Sequence, residues 1–310
     1  MAYHGRNLGL NGNVTTVMQG PKKTCDDELA KTRPFRRKAA LRAEAEEMVS
    51  QPQTQLSTRR PQVEPAHYQL PATQPEPWER LAATPLRLSL PRDGRMPLVN
   101  LFRTDPVARA FDVMRTRVLQ ALKAKGWTRI AIAAPTAGCG ATFTSVNLAL
   151  SMARVPASRT VLLDLNMRDP GVASALELPA RADMRRLLKG ETSYLDHLTR
   201  CSDTLAVGLG AGPVRDASEL LHSGTASDML DQIQQDLRPD VVLCDLPPVL
   251  GFDDLVALVP RIDGVLLVAD GTRTTSEQIR RCEQVLGADV PLLGVVLNRG
   301  RGNGAENYVV

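Results

Sequence analysis

From Pro97 onward the chain alternates short, wholly apolar runs with longer segments whose apolar residues recur every three or four positions. The apolar runs at 129–134, 160–165, 205–209, 240–246, 264–269 and 292–297 predict six strands. Residues 106–123, 142–154, 171–188, 216–237, 252–261 and 275–287 predict helices before and between them. Asp105-Pro106 is a strong helix start, and Ala108, Phe111, Met114, Val118 and Leu122 then share one face. Strands that are apolar along their whole length must be covered on both faces. The pattern therefore predicts an α/β fold, a mostly parallel sheet with helices on both sides.

Residues 1–95 break this pattern. They hold nearly half of the 22 prolines and little apolar periodicity. Stretches such as Gln51-Pro52-Gln53-Thr54-Gln55 and Pro71-Ala72-Thr73-Gln74-Pro75-Glu76-Pro77 cannot bury enough surface to offset chain entropy. The expectation is a long disordered N-terminal region (1–95), a folded domain (96–303) and a short tail (304–310). A marginal helix is expected at 36–49, where basic residues precede acidic ones and oppose the helix dipole.

Charge sharpens the division. Residues 1–100 hold 15 Lys and Arg against 10 Asp and Glu, whereas residues 101–310 hold 23 against 24. The folded part is thus balanced, which argues against a nucleic-acid-binding face. The five cysteines are scattered and lack C-x-x-C spacing, as expected of free thiols in a reducing cytoplasm. No apolar run approaches the about 18 residues needed to span a bilayer. A cytoplasmic protein that reaches the inner membrane only through a partner is the expectation.

The candidate chemistry lies at the ends of the predicted strands. Pro135-Thr136-Ala137-Gly138-Cys139-Gly140-Ala141-Thr142 follows the first strand and opens a helix. Strand, glycine loop and helix form the context in which backbone N–H groups and a helix N-terminus face phosphates. A phosphate-binding loop ordinarily continues G-K-[ST], where Lys faces the outer phosphates and the hydroxyl binds magnesium. Here Ala141 stands in place of the Lys. Two further strands end in an acid, Asp164 in Val161–Pro170 and Asp245 in Val241–Leu250. A carboxylate at such a tip can hold a magnesium-bound water or orient a nucleophile.

Together these segments resemble the P-loop domain of the bacterial tyrosine autokinases (BY-kinases) of capsule and exopolysaccharide synthesis, relatives of the MinD/ParA ATPases. The resemblance covers about 97–302. It is carried by the glycine loop with Asn147-Leu148-Ala149, by Val161–Pro170, by Val241–Leu250 with its paired prolines, and by Gly294-Val295-Val296-Leu297-Asn298-Arg299. Ala217-Ser218-Glu219-Leu220-Leu221 also looks like a family helix start. The resemblance implies a P-loop NTPase-like fold binding ATP or ADP with Mg²⁺. Gly138, Cys139, Gly140, Ala141, Thr142 and Phe143 would line the phosphates. Thr142, Asp164 and Asp245 would attend the metal, with Asp164 and Asp245 as the catalytic acids. Asn298 and Arg299 would meet the base, since an amide offers both the donor and the acceptor a purine edge requires.

The departures are equally informative. Besides Ala141, the second acid of the family's Asp-x-Asp is Asn166. The family's Glu-x-x-Arg-x-x-Arg ring-assembly signature reads Arg109-Ala110-Phe111-Asp112-Val113-Met114-Arg115, with its first two charges inverted. The tyrosine-rich tail is reduced to Tyr308, the remaining phosphoacceptor candidate. Removing one preorganised charge from a developing anion costs on the order of 10²–10³ in rate. The resemblance therefore implies a degenerate kinase-like regulator of polysaccharide synthesis or export. It would bind nucleotide weakly or not at all and act through a membrane co-polymerase, with self-association open. An active autokinase that draws its cation from elsewhere is the alternative, with Arg168 the nearest source in the motifs. A MinD/ParA-like nucleotide-dependent positioning protein is a further one.

Overall fold

The computed structural model describes residues 15–17, 75–86, 98, 106–180, 183–287 and 290–300. The strands, in chain order, are β1 (Thr15–Val17), β2 (Ala82–Ala83), β3 (Arg129–Ala133), β4 (Thr160–Asp164), β5 (Thr199–Arg200), β6 (Leu205–Gly208), β7 (Val241–Asp245), β8 (Gly264–Asp270) and β9 (Leu292–Asn298). They form one sheet in the order β1-β9-β8-β3-β7-β4-β6-β5-β2. The six predicted strands make its parallel centre, from β9 to β6. β1 pairs antiparallel with β9, β5 antiparallel with β6, and β2 lies parallel on β5.

The helices are α1 (Pro77–Arg80), α2 (Pro106–Lys125), α3 (Ala141–Met152), α4 (Val172–Ala175), α5 (Met184–Leu188), α6 (Tyr194–His197), α7 (Ala217–His222), α8 (Gly224–Leu237), α9 (Asp254–Leu258) and α10 (Ser276–Leu286). The period-two geometry of each strand divides the core between the two faces of the sheet. Ile130 and Ile132 pack with Phe111, Met114, Val118 and Leu122 of α2 and with Val146 and Leu150 of α3. Ala131 and Ala133 face the other way, toward the cluster that holds Ile233 and Leu237 of α8, Leu255 of α9 and Cys282 of α10. The face read from sequence for α2 is the buried one, residue for residue.

Two long helices expected from periodicity are each divided. The segment 171–188 becomes α4 and α5, because Glu177 takes a positive φ of 55° and Pro179 follows it. The segment 216–237 becomes α7 and α8. Ser223 adopts an extended ψ of 150° and its hydroxyl caps the Ala226 N–H, so a new helix starts there. Apolar periodicity continues across both breaks, so it does not reveal them. The segment 252–261 shortens to α9 followed by a 3₁₀ turn at Val259–Arg261, which contains Pro260.

Residues 75–86 carry structure within the segment expected to be featureless. Trp78 is the reason: it is 2% exposed in the core, with the Arg159 guanidinium 5.2 Å from its ring centre. β2 follows it onto the sheet edge. The helix expected at 36–49 lies outside the described residues.

Parallel register brings the carboxyl ends of the central strands to one edge. Asp164 of β4 stands opposite Asp245 of β7, Asp245 opposite Ile132 of β3, and Asp270 of β8 opposite Asn298 of β9. The glycine loop leaves β3 at this same edge.

Candidate phosphate-binding site

The loop between β3 and α3 turns on two left-handed glycines, Gly138 (φ 75°) and Gly140 (φ 99°). Gly140 is the N-cap of α3, and Ala141 is that helix's first residue. Residues 246–250 run beside the loop. The N–H groups of Leu246, Val249 and Leu250 donate to the carbonyls of Ile132, Ala134 and Pro135. The paired prolines 247 and 248 fall between these anchors and need no N–H partners of their own.

Beneath the loop, the Thr142 hydroxyl donates to Asp245 Oδ2 at 2.7 Å and the Ser145 hydroxyl to Oδ1 at 2.8 Å. Asp245 is fully buried. Burial pushes its pKa up to about 6 although both hydroxyls pull it down. Asp164 is also fully buried. Burial first, and the Asp245 charge second, raise it to about 7 against the backbone N–H groups of Val172, Gly210 and Asn166, which pull it down. Its Oδ2 accepts the Val172 N–H at 3.0 Å, whereas its buried Oδ1 has no partner. The side-chain oxygen of Asn166 is likewise buried without one.

These orphaned oxygens fit a hydrated cation beside the loop. A magnesium nucleotide is chemically suited: Thr142, Asp164 and Asp245 are hard oxygen donors, and Mg²⁺ completes its shell with water and phosphate oxygens. Among the described residues no group of three or more His, Cys, Asp or Glu could hold a metal unaided.

Asn298 lies against the loop, 7% exposed. Its amide nitrogen donates to the Cys139 carbonyl at 2.8 Å, and its oxygen accepts the Arg299 N–H at 3.0 Å. A Cβ on Gly140 would collide with that amide, so Gly140 also permits the close approach. Arg299 Nη1 donates to the Gly138 carbonyl at 2.9 Å. Phe143 packs edge-on against Phe111, with centroids 6.0 Å apart. Cys139 sits under the loop between the Thr136 and Thr274 hydroxyls. Burial alone would raise its pKa, but these hydroxyls and Arg273 outweigh burial and hold it below the usual thiol value. The described cysteines, 139, 201, 244 and 282, are free and buried.

The sequence-predicted residues 138–143, 164, 245, 298 and 299 thus gather at one edge of the sheet. Arg168 does not join them as a spare cation. Its guanidinium pairs with the fully buried Asp254 at 3.2 Å and donates to the Arg215 carbonyl at 2.7 Å. Asp112, in the altered assembly signature, is engaged within its own chain by Arg115, Arg154 and Ser151. Tyr308 lies outside the described residues. Sequence reasoning missed Ser145 and Arg273. Ser145 was legible as one helical turn beyond Thr142, whereas Arg273 lies in no motif and reaches the loop from 136 residues away.

No family model matches the chain. It is 30% identical over 217 residues to EpsB of Ralstonia solanacearum, which is provisionally named a tyrosine-protein kinase; the match covers 68% of this chain and 28% of EpsB. It is 28% identical over 187 residues to the succinoglycan biosynthesis transport protein ExoP of Rhizobium meliloti, covering 58% and 23% of the two chains. The chain therefore spans less than a third of these relatives' length. Among solved structures, the VpsO kinase domain superposes with a TM-score of 0.55 at 27% identity, over 61% of this chain and 92% of that domain.

Proposed function

Because this chain belongs to the bacterial tyrosine-kinase family of P-loop proteins, we propose that it is a degenerate member: a nucleotide-binding regulator of exopolysaccharide or capsule synthesis and export, not an efficient kinase. The observation that carries the reading is Ala141 at the lysine position, within a loop that keeps Gly138, Gly140, Thr142 and the Thr142–Asp245 hydrogen bond. Backbone N–H groups and the start of α3 can still hold phosphates. What is lost is the loop's own lysine, which would meet the transferred phosphoryl group.

In this reading Thr142, Asp245 and Asp164 would hold the hydrated cation, and Asn298 and Arg299 would hold the base. Bound magnesium would supply neutralisation of phosphate charge. A membrane co-polymerase is the proposed partner. The polysaccharide-related name of ExoP supports it, and no helix among the described residues is long and apolar enough to cross a membrane.

The test is radiolabelled ATP on the full chain, with calorimetry alongside. Micromolar binding of Mg-ADP that is lost in Thr142→Ala, with no phosphate on Tyr308 or any other residue, is the expected result. Incorporation that disappears in Asp164→Ala would instead establish an active autokinase. The retained Asp164–Asp245 pair favours that second reading.

A further inference from the structure

The glycine loop carries two arginines that it does not itself encode. Arg273 follows β8 and Arg299 follows β9, and both are held by Asp270, which is 1% exposed. Asp270 Oδ2 accepts Arg299 Nη1 at 2.7 Å and Arg273 Nε at 3.0 Å. Its Oδ1 accepts the Thr272 N–H at 2.9 Å and the Thr272 hydroxyl at 2.7 Å. Burial pushes this carboxyl up, but Thr272 and Arg299 outweigh burial and bring it down to about 2, so Asp270 is an anion at any working pH. One carboxylate therefore holds two guanidiniums, and the cluster keeps a net charge of one positive unit. That is the charge Ala141 fails to provide.

The position of Arg273 gives that charge a direction. Its Nη2 donates to the Ala137 carbonyl at 2.9 Å and lies 2.7 Å from where a Cβ on Gly138 would be. The guanidinium thus lies against Gly138, on the side that a side chain at that position would occupy. Its side chain is half exposed. A guanidinium has five N–H donors, so several remain to meet an anion bound at the loop. Its planar fork matches phosphate oxygens, and two of its atoms are already fixed by the protein.

We propose that Arg273, seated on Gly138 and oriented by Asp270, supplies in cis the phosphate-facing positive charge that Ala141 lacks, with Arg299 as its companion at the base end. P-loop proteins use arginines in this way, in cis or from a partner. This inference rests on the reading that the loop binds a nucleotide.

The experiment is calorimetric titration of the full chain with Mg-ADP and Mg-ATP at two salt concentrations. Wild type, Thr142→Ala, Arg273→Ala, Arg273→Lys, Ala141→Lys and Ala141→Lys/Arg273→Ala are compared, with circular dichroism melts as the folding control. Arg273→Ala should bind roughly 10- to 100-fold more weakly, the range expected for one charge-assisted contact, and with a shallower salt dependence. Arg273→Lys should keep only part of the affinity, because an ammonium keeps the charge but not the fork that Asp270 and Ala137 hold, and Lys at 141 should restore binding in the Arg273→Ala background. The gain from Lys at 141 should be larger in the Arg273→Ala background than in the wild-type background, a coupling that a merely bracing role would not give.

Arg273→Ala affinity within twofold of wild type, while Thr142→Ala loses binding, would overturn the inference and leave the nucleotide reading standing. Weakened binding that Ala141→Lys does not rescue would also overturn it, by making Arg273 a brace. Absence of wild-type binding at millimolar nucleotide would overturn the nucleotide reading itself, and the inference with it. Should Arg273→Ala fail to fold, Arg273→Gln in the Ala141→Lys background carries the same comparison.

Discussion

Asp164 and Asp245 stand directly opposite each other in the register of β4 and β7, and both are fully buried. Asp245 is served by two hydroxyls, whereas Asp164 Oδ1 has no partner. The strain of this arrangement therefore falls on Asp164. An acid whose native pKa is raised contributes stability at low pH and loses it as the pH rises through that value. For Asp164 the window runs from 3.8 to about 7. Asp164→Asn removes the charge and offers an amide N–H beside the Asp245 carboxylate. The nucleotide-free variant should melt higher than wild type at pH 8, by an amount equivalent to about 1–3 kcal/mol, and the gain should shrink toward pH 5. A variant that melts lower at pH 8 would show that the pair is not frustrated.

Ser145 carries the opposite expectation. Its side chain is fully buried, and its one hydroxyl hydrogen goes to Asp245 Oδ1 at 2.8 Å, the shorter of two contacts, with the Ala141 carbonyl at 3.0 Å as the competing acceptor. Ser145→Ala strips one oxygen of a buried carboxylate of its donor, which costs about 1–3 kcal/mol. Urea denaturation should register that loss. Thr142→Ala should cost less stability, because Thr142 is only half buried and water can replace it. Equal losses at the two positions would contradict this account.

The central strands and the glycine loop were legible because each is local: an apolar run ending in an acid, or glycines between a strand and a helix. Ala141 was legible for the same reason. What periodicity could not supply was the breaks at Glu177 and Ser223, where single backbone dihedrals decide and the apolar spacing carries on regardless. The roles of Arg168 and Arg273 were illegible for a different reason. Arg168 lies within a motif yet finds its partner 86 residues away at Asp254, and Arg273 lies in no motif yet reaches the loop 136 residues away. Long arginine side chains choose partners by tertiary geometry, and one sequence does not encode that locally.

The Arg168–Asp254 pair makes that distinction measurable. Asp254 is 0% exposed, and Arg168 is the cation it meets, with Asp253 a looser second partner of Arg168 at 3.9 Å. Breaking such a pair from one side leaves an uncompensated buried charge, at a cost of about 3–5 kcal/mol. Arg168→Met should be strongly destabilised in urea. Arg168→Met/Asp254→Leu should recover much of the loss, since apolar replacement of both partners is often neutral. No recovery in the double variant would mean that Arg168 acts mainly through the Arg215 carbonyl.

His197 predicts a pH response of the opposite sign to that of Asp164. It sits on α6, 3% exposed, beside a cavity of about 250 Å³ lined by Ala82, Thr84, Leu178 and Thr199. Burial pushes its pKa down to about 4, against the pull of Asp183 and the Leu209 backbone toward the charged form. Below the ordinary histidine value of 6.5 the unfolded chain takes up a proton that the folded chain refuses. Stability from this group is therefore complete above about pH 6.5 and drains away as the pH falls toward 4, at up to about 1.4 kcal/mol per pH unit. Other carboxyls titrate in the same range, so the informative quantity is the difference between two proteins. His197→Phe keeps a flat ring in the core and cannot be protonated. Its melting temperature should fall less steeply than that of wild type between pH 6.5 and 4.5, and the two curves should run parallel above pH 7. Curves parallel throughout would mean that His197 is protonated in the folded state, with Asp183 close enough to outweigh its burial.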